Sequence, residues 1–158
     1  MAEVVIATAQ EADAAAIKGF MARVIAEAVT REEPVHSEMA ANTAANVDWW
    51  LASPGSAVHL TAVRGGELVG VVLVKDFWNL CSLFVEPALH GQRIGSRLLQ
   101  AAVDACTARG TRDAILLNAA PRAIPFYARH GFVPRESARP LPAGFAAMQL
   151  KLATRSPE

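Results

Sequence analysis

The chain has 158 residues, 53% of them hydrophobic and 19% charged, with a formal net charge of zero. That length predicts one domain with a real core, and the composition excludes global disorder. No apolar run approaches the ~20 residues of a membrane span, so no membrane-crossing helix is expected.

The N-terminal stretch MAEVVIATAQEADAAA carries acidic residues early. It lacks a basic region followed by an apolar one, which predicts no signal peptide and a cytoplasmic protein. Cys81 and Cys106 fall at core-like positions without metal-ligand spacing. They read as buried free thiols, with a disulfide as the alternative. Charge is unevenly spread: residues 17–50 hold three basic and five acidic residues, whereas residues 86–135 hold seven arginines and three acids. A neutral total with a basic second half argues against nucleic-acid binding and fits a local anion site.

VVIATA (4–9) reads as a first strand, and Thr8 with Glu11 has capping-box spacing. Ile17, Phe20, Met21, Val24, Ile25 and Val29 form a stripe that predicts a helix to about Val29. TREEPVHS (30–37) breaks the pattern, and a second helix is expected from Glu38 to Leu51. The period then changes: AVHLTAV, the turn RGGE and LVGVVLVKD read as a hairpin, with Gly65 and Gly66 supplying positive φ. NLCSLFV (79–85) is a further strand. Ile94, Leu98, Leu99, Ala102, Ala105 and Cys106 mark a helix that Gly110 would cap. AILLN (114–118) is a strand, PRAIPFYARH (121–130) a short helix, and FVP and FAAMQLKL (145–152) are late strands. Residues 153–158 read as a polar tail beyond a single domain of residues 1–152. The unit strand–helix–strand across 80–118 predicts parallel neighbours, and the other strands are expected to be antiparallel, giving a mixed sheet.

LHGQRIGSRLLQ (89–100) places small residues where a strand turns into a helix. A helix N-terminus offers free N–H groups and positive dipole, and Gly91, Gly95 and Ser96 would let phosphates reach them. A P-loop needs GK[ST] at the helix start, and this chain has GSR. A dinucleotide fold needs GxGxxG and an acid ending the next strand, but the glycine spacing differs and Asp113 precedes that strand. Both alternatives fail.

SLFVEPALHGQRIGSRLLQAAVDACTARG resembles the acyl-CoA-binding segment of the GNAT superfamily of N-acyltransferases, and AIPFYARHGFVP resembles its downstream tyrosine segment. The resemblance implies a single α/β domain whose mixed central sheet has splayed parallel strands and about four flanking helices. It implies acetyl-CoA as co-substrate, with its diphosphate on His90, Gly91, Gln92, Arg93, Ile94, Gly95 and Ser96. It also implies pantetheine beside Leu83, Phe84 and Val85, and Tyr127 as the acid facing the departing thiolate. Arg93 stands where the family has glycine. Positive φ there would cost about 1 kcal/mol or more, so a right-handed conformation is expected for it, with its guanidinium outward or on a phosphate.

The remaining candidates divide between chemistry and structure. Asn118 ends its strand, where it would touch pantetheine amides or cap the strand. Arg97 and Arg122 would reach phosphates or solvent. Glu86 and His59 are candidate bases with structural alternatives. A backbone N–H near Leu83 or Phe84 would polarise the acetyl carbonyl. Trp49 and Trp50 read as core and rim, and Glu27, Glu32, Glu33 and Asp48 would favour a cationic acceptor. No cluster suggests a metal. The resemblance implies direct transfer to a primary amine, more readily of a small molecule than of a protein or peptide. A CoA-binding module without catalysis is the other alternative. No nucleic-acid or membrane partner is expected, and a homodimer is compatible with the family.

Overall fold

The computed structural model describes residues 3–110 and 112–153, so most of the expected tail lies outside the described residues. The strands are β1 (Val4–Thr8), β2 (Ala57–Arg64), β3 (Glu67–Lys75), β4 (Asn79–Val85), β5 (Ala114–Ala119), β6 (Val133–Pro134) and β7 (Ala146–Lys151). The helices are α1 (Ala14–Val24), α2 (Val35–Ala52), α3 (Ile94–Arg109) and α4 (Ile124–Arg129). Seven strands form one sheet in the order β1-β2-β3-β4-β5-β7-β6, and only β4 and β5 run parallel. Among the described residues no helix is long and apolar enough to cross a membrane.

The sheet is covered on both faces, which explains the unbroken VVLV run of β3. Val72 and Val74 join the cluster under α3 with Leu98, Leu99, Ala102 and Cys106. Val71 and Leu73 join the cluster under α1 and α2 with Ile17, Met21, Val47 and Trp50. The β2–β3 hairpin closes through Gly65 and Gly66 at φ +58° and +81°, the positive values its two-residue turn requires.

Four local readings are corrected. The cap at the first helical turn is built by Gln10 and Asp13: the Asp13 carboxylate accepts the Gln10 N–H at 2.8 Å. Thr8 is instead held in β1, where its backbone pairs with Leu60. The first helix leaves α geometry after Val24 and continues as one π-helical turn, Ile25–Val29. The second helix starts three residues before Glu38, because Pro34 opens it: proline lacks only an N–H that a first turn leaves unpaired anyway. Gly110 does end α3, but in extended conformation. A Cβ there would meet the Cys106 carbonyl at 2.7 Å, so close packing rather than left-handed geometry requires glycine.

Candidate active site

β4 and β5 share a single ladder pair, Asn79 with Leu116. Beyond it the strands part, and the edge of β4 from Leu80 to Val85 loses its ladder to β5. The β3–β4 register also slips, Leu73 facing Ser82 and Val74 facing Leu80, which leaves Cys81 as the extra residue of a bulge. A cavity of about 930 Å³ fills the opening, a volume suited to a large ligand.

The turn after β4 forms one wall. Gly91 has φ +87° and Arg93 has φ +64°, ψ +16°, so the right-handed conformation expected for Arg93 is not the one adopted. The reason is geometric. Alternating positive and ordinary φ values through residues 91–93 swing successive N–H groups to one side, the concave arrangement that binds anions, and hand the chain to α3. Arg93 bears about 1 kcal/mol of left-handed strain so that its carbonyl accepts the first helical bond, from Arg97 N–H at 3.0 Å. Its guanidinium has no partner among the described residues. Gly95 lies where an added Cβ would sit 3.5 Å from both Phe126 and Val85, at the tight corner between β4, α3 and α4.

Side chains brace this turn. His90 Nε2 lies 3.1 Å from the Val85 carbonyl; a carbonyl only accepts, so that nitrogen carries the proton. Ser96 Oγ lies 3.0 Å from His130 Nε2, tying the first turn of α3 to the end of α4. Were Ser96 to donate its one proton to an anion, His130 would have to be the donor in this pair.

Leu83, Phe84, Val85, His90, Gly91, Arg93, Ile94, Gly95, Ser96, Asn118 and Tyr127 all line the cavity. Gln92 does not; its N–H donates to Leu89 at 3.3 Å. Tyr127 is 6% exposed, wedged edge-on between Phe126 and Phe132. Its hydroxyl has no hydrogen-bond partner among the described residues, and burial pushes its pKa above the ordinary value of 10.

The other candidates are placed apart from the cavity or tied to neighbours. Glu86 is bound by the Arg23 guanidinium, whose hydrogen bond holds the carboxyl below its usual range. Asp48 pairs with Lys18 at 2.6 Å, and Glu33 accepts from Ser37 at 2.6 Å. Arg97 donates to the Val4 carbonyl. Trp50 packs edge-on to His59 in the core, while Trp49 takes Lys75 over its ring. His59 is 3% exposed with neither ring nitrogen paired, and burial lowers its pKa to about 4. Cys81 and Cys106 are free thiols. Burial raises both, Cys106 to about 12, which keeps them protonated and poorly nucleophilic.

Several cavity residues escaped the sequence reading. Cys81 is there because of the bulge, Met39 because α2 starts early, and Phe145 because β7 returns beside β5. Arg129 follows Tyr127 by two residues, a proximity that could have been read from the α4 segment.

Comparison with known proteins agrees with this architecture. A GCN5-related N-acetyltransferase from Rhodopseudomonas palustris superposes with TM-score 0.76 at 22% identity, covering 96% of this chain and 98% of that one. PaiA N-acetyltransferase from Thermoplasma acidophilum, solved in complex with coenzyme A, gives 0.72 at 16% identity over 94% and 99%. YncA from Salmonella typhimurium, a putative acetyltransferase solved with acetyl-CoA, gives 0.70 at 19% over 99% and 98%. No curated protein sequence matches significantly. The sequence model of the acetyltransferase (GNAT) domain matches residues 9–152. The chain belongs to the GNAT acetyltransferase family.

Proposed function

We propose that this protein transfers an acetyl group from acetyl-CoA directly to a primary amine of a small molecule. The observation that carries the reading is one continuous cavity joining the anion-binding turn at Gly91–Ser96, the open edge of β4 and the buried, unpartnered Tyr127. The residues fit the ligand: the turn presents N–H groups to a diphosphate, and Arg93 and Arg122 add unpaired positive charge. Bound acetyl-CoA supplies a thioester whose carbon accepts the amine nitrogen as the carbon–sulfur bond breaks.

The chain's own groups act around that exchange. The β4 edge offers backbone hydrogen bonds to the pantetheine arm and to the developing oxyanion. Tyr127 donates a hydrogen bond to the leaving sulfur. A free thiol has a pKa of ~8.5, and burial raises the phenol further above it. Stabilising the sulfur charge by a hydrogen bond is therefore favoured over complete proton transfer. Cys81 lines the same cavity, but burial keeps its thiol protonated, which favours direct transfer over an acyl-enzyme.

Arg93→Gly tests the cradle by calorimetry with CoA. Wild type is expected to bind one CoA with a Kd on the order of 10 μM. The variant should gain about 1 kcal/mol of folding stability from released strain, yet bind CoA about tenfold more weakly for want of the guanidinium. Tighter binding by the variant would show that the Cβ obstructs the phosphates, and absence of wild-type binding would overturn the reading.

A further inference from the structure

We infer that the acceptor is a primary amine carrying one positive charge on an apolar body, selected by Glu27; this rests on the acetyl-transfer reading above. Side chains of β4 alternate across the sheet. Leu83 and Val85 pack on the α3 side, whereas Phe84 and Cys81 pack on the α1–α2 side. The cavity is lined by all four, so the parting of β4 from β5 opens it through the sheet. One mouth holds the anion-binding turn and α4. The other is walled by Val24, Glu27, Ala28, Val29 and Met39.

Charge divides along the same axis. Arg93, Arg122 and Arg129 line the cavity from the turn and from the α4 segment, and Glu27 is the one carboxylate among the lining residues. Asp48 and Glu33 are engaged elsewhere. Glu27 owes its position to the π-helical turn that continues α1. Its Oε2 accepts from Arg23 Nη1 at 3.1 Å, but Arg23 also binds Glu86 through both terminal nitrogens. One guanidinium thus faces two carboxylates, and the group keeps net negative charge at this mouth.

A primary alkylamine, with a pKa near ~10, arrives as an ammonium ion and is drawn to that charge. The rest of the wall is Val24, Ala28, Val29, Met39 and Phe84, which suits an alkyl or arylalkyl body. A second ammonium would be desolvated there without a partner, and a carboxylate beside the amine would be repelled. Polyamines and α-amino acids are disfavoured for these two different reasons.

The test measures thiol release from saturating acetyl-CoA with 2-phenylethylamine, phenylalanine, spermidine and a lysine-containing peptide, alongside CoA binding. The expected kcat/KM for 2-phenylethylamine exceeds each of the others by about tenfold or more. Glu27→Gln should raise the KM for 2-phenylethylamine about tenfold, with kcat and CoA affinity close to wild type, and Glu27→Asp should recover part of the loss. Preference for spermidine, the amino acid or the peptide overturns the inference. So does an unchanged KM in Glu27→Gln, or CoA binding without turnover of any amine. Failure to bind CoA at all instead sinks the acetyl-transfer reading on which it rests.

Discussion

Tyr127→Phe is expected to lower kcat about a hundredfold or more, while acetyl-CoA affinity stays within about twofold of wild type. The substitution removes one hydroxyl from a ring that remains packed by Phe126 and Phe132. Because that hydroxyl has no protein partner among the described residues, its loss breaks no internal hydrogen bond and should not unsettle the fold. The pH profile sharpens the test. Burial raises the phenol above its ordinary pKa of 10. Wild-type kcat should therefore show no decline from tyrosine ionisation as pH rises from about 8 to about 10. A variant retaining full kcat would remove Tyr127 from the mechanism.

His59 governs the second large effect, on stability. Its imidazole sits against Trp50 with both nitrogens unpaired, and burial lowers its pKa from 6.5 to about 4. The folded state therefore favours the neutral ring, and between these two pKa values the unfolded chain binds the extra proton. Stability is fully present above pH 6.5 and falls as pH drops toward 4, by about 3 kcal/mol in all at ~1.36 kcal/mol per unit. His59→Phe keeps an aromatic ring beside Trp50 and removes both unpaired nitrogens. Thermal unfolding of the variant should be no less stable than wild type at pH 7 and should lack most of the slope between pH 6.5 and 4. Equal slopes in the two proteins would assign the acid sensitivity to other groups.

The sequence made the middle of this molecule legible and left its edges dark. Strand 79–85, the turn and helix 94–109 could be placed because apolar period and glycine spacing are local signals, and they fall where the structure has β4 and α3. Tyr127 stood out as the one tyrosine in the chain. The left-handed Arg93 could not be read locally, because residue preference opposes it. Only the need to join β4 to α3 with its N–H groups turned to one side overrides that preference. The bulge at Cys81 was hidden for a different reason: register belongs to a pair of strands, and a single strand's pattern does not record it. Among four acidic residues near the first two helices, only Glu27 reaches the cavity wall. Its direction depends on the π-helical turn after α1, which rotates side chains off the 3.6-residue period.

The central claim is that the cavity through the parted sheet carries acetyl from a thioester to an amine. Its most direct test is free thiol released from acetyl-CoA by the purified protein with a primary monoamine present, read together with the mass of the amine product. The account predicts thiol release that depends on the amine and is matched one for one by amine carrying a single added acetyl group. Tight binding of acetyl-CoA with no thiol release above the amine-free rate, for any primary amine, would contradict it and leave a CoA-binding protein without transfer.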